Sequence, residues 1–558
     1  MKKLFIILTG LCLLGQSCKK FLEEDPKGRI TTKYLATEKG LNDLLTSCYY
    51  GTRGVVETLF YGEGNCASDE WTYGGGGTNI PLLTECRTAD FVSSGNVSDF
   101  WNSLYTDVNN LNYGLSVIDE TAFSDEALKK RIKGELSFLR AWQYHLVVET
   151  WGSGAHLQTA PSEGAVTEGH PGKIEDFYKL ILSDIETAIT NLPQQPFEKG
   201  RASSYAAKGL KARMLIALAG YPDDIIAASG YTKAKLYTEA KSLADDVIAN
   251  SKRSLLPDYK SIFDINNENN NEILWSVQFT SNLPYNTDGE HMHRYWVPMY
   301  NKSAHTGAVI NKLPAHSIIY GREYRHIMPT KWLVTLYNQY DKRYEGSFLS
   351  VYLTLKGEVQ VPGDTALIRL PSKVSAETYA SYKSRGIPVD GIDDYYNPTT
   401  GIPTSNGRSL YIELSKFLDP SRTTAKQEEA FKDIIIMRLA EMYLIGAECA
   451  YYGNNKQEAA DYITKLRKRA LVPGHETDLT VRSENIDIDY ILDERSRELA
   501  GEALRWFDLK RTHKLVERTK KYNPDALYIS TVHDLRPIPV NELLNVTNPG
   551  VFKQNPGY

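Results

Sequence analysis

The chain has 558 residues, 42% hydrophobic and 24% charged, with 69 acidic against 64 basic side chains and a formal net charge of −5. That balance argues against a nucleic-acid partner, because phosphate recognition draws on clustered Lys and Arg, and no basic stripe runs through the sequence. The length exceeds what one hydrophobic core usually fills, so several cores or a repeat architecture are expected.

Met1, Lys2 and Lys3 open the chain and an apolar run from Leu4 to Gly15 follows, the pattern of a signal peptide over residues 1–17. The run is shorter than the ~20 residues that span a bilayer. Ser17 then precedes Cys18, which is similar to a bacterial lipobox, although Gly15 stands where leucine is usual and an ordinary cleaved signal is the alternative. An acylated Cys18 would tether the protein to a membrane, since two or more acyl chains anchor stably where one does not. Residues 18–40 read as the tether, and no later apolar run is long enough to cross a membrane.

Cys48, Cys66, Cys86 and Cys449 remain beyond the leader. Outside the cytoplasm a Cys66–Cys86 disulfide and two unpaired thiols are both open readings. No CxxC pair occurs, so no zinc site is expected.

Residues 61–99 hold the glycines Gly74 to Gly77, several Ser and Asn, and lone aromatics, and do not read as helix. Gly62, Gly64 and Ala67 follow a strand-like run and nominally match a dinucleotide fingerprint. That motif needs a helix next, and Trp71 with four glycines comes instead. Trp101 falls on a helical pattern with Leu104, Tyr105 and Val108, and is expected in the core.

Three helical hairpins come next in chain order. Residues 128–152 pair with 174–193, which stops at Pro193; residues 203–220 pair with 231–250; and residues 433–470 form the clearest unit. In that last unit Ile435, Leu439, Met442, Gly446 and Cys449 share a face, and after the Gly453 break Ala459, Ile463 and Leu466 do the same. Gly446 and Ala459 have nearly tetratricopeptide spacing, which lets two helices approach closely. The fold class is therefore mainly α, with tetratricopeptide-like hairpins forming a curved α-α scaffold, long irregular loops and a few short strands. Residues 251–320, with a strand-like EILWSVQF, and residues 351–424 are the long non-helical stretches. Loops of that length on a helical scaffold are candidates for the working surface.

Near the C-terminus Glu494 and Glu498 stand four residues apart among Arg495, Arg497, Arg505 and Arg511. One helix places both on the same side, whereas glycosidic chemistry needs two carboxyls on opposing walls, so an ion-paired structural helix is expected. With no GxSxG elbow and no metal pattern, no catalytic residue is assigned. His291 and His293 would share a face on a strand, but no third ligand stands nearby.

Cys18 with KKFLEEDP, then ELSFLRAWQYHLVVETWG, IEDFYKLILSDIETAITNLP, MPTKWLVTLYNQYDKRYEGSF, IIIMRLAEMYLIGAECAYYGN, ERSRELAGEALRWFDLKR and RPIPVNELLNVTNPGVFKQNPGY occur in one order that resembles the SusD/RagB family. The resemblance implies an N-terminal helical region with ligand loops over residues 41–290 and a C-terminal region over 291–558. It also implies a surface lipoprotein of the outer membrane that captures glycan, or in some members peptide, for a SusC-like TonB-dependent transporter. A protein-binding adaptor is the remaining alternative. Calcium is found in some members; no EF-hand or comparable loop occurs here, so no cofactor is assigned and a structural calcium stays open. WGSGAHLQT stands where the family usually has a Gly-x-Pro-Leu-like turn, so the loop around His156 is expected to differ.

The apolar faces of sugars lie on exposed aromatic rings while carboxylates and amides take the hydroxyls. Asp69, Trp71 and Tyr73 supply both parts in the first loop, and Tyr285, Arg294 and Trp296 supply them in a second. These six are the candidate ligand residues, with loop anchoring as their alternative role. If Trp71 stacks on ligand, its replacement by alanine should weaken binding without lowering stability.

Overall fold

The computed structural model describes residues 31–558 except 93, 163, 165, 166, 287, 288, 358 and 359. The expected signal peptide and Cys18 lie outside the described residues. No described helix is long and apolar enough to cross a membrane.

Eight long helices carry the scaffold: α1 (Glu38–Thr58), α2 (Gly95–Val117), α3 (Glu126–Trp151), α4 (Ile174–Asn191), α5 (Ser204–Leu218), α6 (Lys233–Asn250), α7 (Leu439–Tyr452) and α8 (Lys456–Lys468). Each packs on the next in chain order. Local sequence sets their ends: Thr37, Ser203, Thr232 and Asn455 cap the N-termini by accepting from backbone N–H groups three residues on. Helix α4 stops two residues before Pro193, as its sequence requires. In α1 the buried Leu41, Leu44, Leu45, Cys48, Val55 and Val56 recur at helical spacing. Trp101 lies in α2, buried as expected, with its ring 4.9 Å from that of Trp151.

The step from α6 to α7 spans residues 251–438, and a two-stranded ladder closes it. Strand Ile273–Val277 pairs antiparallel with Ile434–Arg438, Val277 opposite Ile434 and Ile273 opposite Arg438. The hairpin read over 433–470 therefore starts as a helix only at Leu439. Three consecutive isoleucines, β-branched and stiff at χ1, fit the pleated ladder better than a helix turn. Gly446 allows the close helix contact expected of it, because a Cβ there would lie 2.8 Å from the ring of Tyr462 in α8. The stretch before Gly62 is likewise not a strand; Val55 and Val56 belong to α1, which ends in a π-turn over Leu59–Glu63. No helix follows Gly64, and a Cβ there would lie 2.2 Å from the Ala503 carbonyl oxygen.

Helix α9 (Ile488–Leu499) fastens the two ends of the insertion to the scaffold. Glu494 and Glu498 are fully buried. Glu494 pairs with Arg343 at 2.9 Å and Arg467 at 2.5 Å; Glu498 pairs with Arg438 at 2.6 Å and Arg343 at 3.1 Å. Arg438, at the end of the closing ladder, also reaches Glu272 at 2.9 Å and Glu502 at 2.8 Å. This is the structural ion-pair helix expected from the sequence. The disulfide alternative falls away: Cys66 and Cys86 are both free, buried thiols, each pushed up to about 12 by burial.

Candidate ligand-binding surface

A short ladder positions the glycine-rich loop. Strand β1 (Trp71–Tyr73) pairs antiparallel with Ile327–Pro329, Trp71 opposite Pro329 and Tyr73 opposite Ile327. The glycines prolong this apposition: Gly74 N donates to His326 O at 2.8 Å, Gly76 N to Arg325 O at 2.9 Å, and Gly75 N to Arg408 O at 2.5 Å. A Cβ on Gly74 would stand 2.2 Å from Arg325 O, and one on Gly76 1.9 Å from Tyr324 O. Backbone meets backbone here, and only glycine permits it.

The six predicted residues divide into anchors and surface. Asp69 is fully buried and accepts from Arg505 at 2.7 and 2.6 Å and from Arg518 at 2.8 Å. Burial works to raise its pKa, but the two arginines outweigh it and hold the carboxyl below its ordinary value. Trp71 and Trp296 are also buried, edge to face at 6.1 Å, and Trp71 Nε1 donates to Glu70 Oε2 at 3.0 Å. These three hold the loops down and offer no face to a ligand, which corrects the reading of Asp69, Trp71 and Trp296 as ligand contacts. Tyr73 is half-buried, with the Arg408 guanidinium 3.8 Å from its ring centroid and Arg408 held by Asp525 at 2.6 Å. Tyr285 is 70% exposed on a one-turn helix, Leu283–Tyr285, whose last carbonyl accepts from Arg53 Nη1 at 2.6 Å. Arg294 is half-buried in an aromatic cluster.

That cluster is the surface the loops build together. Tyr61 lies 4.3 Å from Tyr295 and 5.6 Å from His326, ring centroid to centroid, and Tyr295 stacks on His326 at 5.6 Å. The Tyr61 hydroxyl and His326 Nδ1 are hydrogen-bonded at 3.0 Å. Tyr324 follows at 5.5 Å from His326, with the guanidinium groups of Arg294 and Arg322 at 4.7 and 5.2 Å from its centroid. Glu428 pairs with both arginines, at 2.6 Å from Arg322, and those bonds hold its carboxyl down at about 2. Burial, then the charges of Arg294 and Arg325, lower His326 to about 4, so its ring is neutral at pH 7. Tyr61, Tyr324, His326, Arg294 and Arg322 are all partly exposed. Along α1 the same side carries Tyr50, Arg53 and Glu57, and Glu57 accepts from Tyr295 at 2.5 Å.

Sequence reading missed Tyr61, Arg322, Tyr324, His326 and Glu428. The stretch YGREYRHIM, residues 320–328, carried a signal in its density of aromatic and basic side chains outside any helical period. His291 and His293 do not share a strand face: His291 precedes the single helical turn Met292–Tyr295 and lies 3.3 Å from Glu57, while His293 is within that turn and buried. Among the described residues no three His, Cys, Asp or Glu come together as a metal-binding group.

Stacked helical pairs with a ladder-closed insertion, presenting side chains from several loops, define the class: an α-helical repeat protein whose surface chemistry is carried on inserted loops. The chain belongs to the SusD family, whose model matches residues 271–558, and a second family model, described as starch-binding associating with outer membrane, matches residues 20–216. It is 25% identical to SusD-like protein P25 of Formosa agariphila, over 97% of this chain and 95% of that protein. It is 24% identical to a SusD-like protein of Bacteroides ovatus, over 91% and 82%. Among solved structures, a laminarin binding SusD-like protein superposes with a TM-score of 0.67 at 20% identity, covering 93% of this chain and 99% of that one. B. fragilis NanU does so with a TM-score of 0.67 at 19% identity, covering 96% and 99%. These two likenesses show the fold.

Proposed function

We propose that the protein is a non-catalytic cell-surface lipoprotein that captures glycan on the Tyr61–Tyr324–His326 surface and passes it to a SusC-like TonB-dependent outer-membrane transporter. The observation that carries this reading is the row of partly exposed rings set beside guanidinium groups on loops that buried tryptophans and ion pairs hold in place. Such a row offers ring faces to the C–H side of a sugar and charged donors to its hydroxyls. A preformed surface also loses little entropy on binding. The laminarin-binding relative, similar in fold, supports glycan as the ligand class. The second family model's description, associating with outer membrane, supports that location, where a lipid anchor at Cys18 would hold the protein beside its transporter.

Affinity electrophoresis and calorimetry against a panel of polysaccharides and peptides test the reading. Binding to a glycan is expected, and Tyr324→Ala should weaken it about fivefold or more with an unchanged melting curve, since a stacked ring contributes ~1 kcal/mol or more. Binding to peptides alone would replace glycan by peptide as the ligand. An unaltered affinity in the Tyr324 variant would move the site elsewhere.

A further inference from the structure

The surface gathers three arginines, more guanidinium donors than a neutral sugar would need. Arg294, Arg322 and Arg325 converge on one segment and on the turn before it, and among the described residues Glu428 is the one carboxylate paired with any of them. Among the described residues Arg325 has no carboxylate partner; its Nη1 reaches Ser409 Oγ at 3.5 Å and Met299 Sδ at 3.7 Å. The Nε atoms of all three are buried without a hydrogen-bond partner. Of the other acids nearby, Glu57 accepts from Tyr295 and faces His291, Glu323 pairs with His316 at 2.7 Å, and Asp525 with Arg408, so none of these three is spent on Arg294, Arg322 or Arg325. His326, lowered by burial and then by Arg294 and Arg325, registers the same field. Arg325 holds a left-handed backbone, φ 56°, a conformation that costs free energy in a residue with a Cβ and that clusters at binding sites. All this stands in a chain of net charge −5.

Glu428 shows what the pair of arginines takes. Its side chain is 45% exposed, and it meets both guanidinium groups beside the Tyr324 ring. A carboxylate on a bound sugar would find the same donors, either in place of Glu428 or on the remaining N–H groups, with guanidinium geometry suited to planar anions.

We infer that the glycan recognised here is acidic, with a carboxylate or sulfate ester seated against Arg294 and Arg322 while the sugar ring lies on Tyr324, and with Arg325, which no carboxylate pairs among the described residues, adding positive charge. This rests on the glycan-binding reading above and narrows its ligand class.

Calorimetry on the full chain decides it, using oligouronates of several backbones, their neutral methyl esters, sulfated oligosaccharides, neutral β-glucan oligomers and a single-stranded oligonucleotide. An acidic oligosaccharide is expected to bind at least tenfold tighter than its neutral counterpart, with affinity falling as salt rises. Whether oligouronate or sulfated ligand binds tighter identifies the anion. Arg294→Gln and Arg325→Gln should each lose at least tenfold for the acidic ligand, with Arg325→Lys retaining most of the affinity and melting curves matching the parent. Glu428→Gln should raise affinity for the acidic ligand and leave neutral sugars unaffected. Neutral ligands bound as tightly, without salt dependence but still sensitive to Tyr324→Ala, would overturn the acidic class and leave glycan binding intact. Silence toward every saccharide would overturn both. An oligonucleotide bound as tightly as the acidic sugar would reduce the surface to a general polyanion site and overturn the inference.

Discussion

Trp71 shows how one side chain can be misassigned by composition and corrected by position. Its ring is fully buried edge-on to Trp296, which in turn lies 5.0 Å from Phe417, and its N–H is spent on Glu70. Trp71→Ala should therefore lower stability by about 3–5 kcal/mol, the usual consequence of emptying a large aromatic site, seen as a reduced melting temperature. Any loss of ligand affinity should track that destabilisation. A binding defect with the parent's melting curve would restore Trp71 to the ligand site. Tyr324, partly exposed, is the residue at which binding and stability separate.

At the level of elements, the glycine run and the closing ladder place the loops. Gly76 is pressed against Tyr324 O, so Gly76→Ala should prise the loop from residues 324–326 and reduce ligand affinity more than it reduces the melting temperature. Gly95 has open space around its would-be Cβ, and Gly95→Ala serves as the neutral comparison. Equal behaviour of the two variants would show that the glycine loop does not shape the surface. The end of α1 at Val55 and Val56 read as strand, whereas helices α2 to α6 were legible in sequence because a 3.6-residue period is a local property. The start of α7 was not. Ile434 to Ile436 fit either period, and the partner strand at 273–277 that decided between them lies in a distant part of the chain.

Over the whole molecule, buried charge sets the response to pH. Burial works to raise Glu498, but Arg469, Arg438 and Arg343 outweigh it and hold it at about 2. Its folded pKa lies below the ~4.3 of an unfolded glutamate, so the stability it contributes is present above that value and is lost as pH falls toward 2. Glu413 runs the other way: burial pushes it up to about 8 against the donation from Tyr352. Its folded pKa is raised, so stability is lost as pH climbs from ~4.3 to 8. Melting curves should fall on both limbs, and Glu413→Gln, whose amide oxygen can still accept from Tyr352, should flatten the upper limb while leaving the acid limb in place. A profile unchanged by that substitution would remove Glu413 as the cause. Sequence alone determined most helical periods and the paired order of the helices, because these depend on residues a few positions apart; it also marked the Glu494–Glu498 helix as structural, although Arg343 and Arg438, which pair with it, come from distant stretches. Only the tertiary structure decided which loop aromatics are anchors and which are surface. Tyr61, Arg294, Tyr324 and Glu428 come from stretches far apart in the chain, and burial depends on what packs above a ring, which local sequence does not encode.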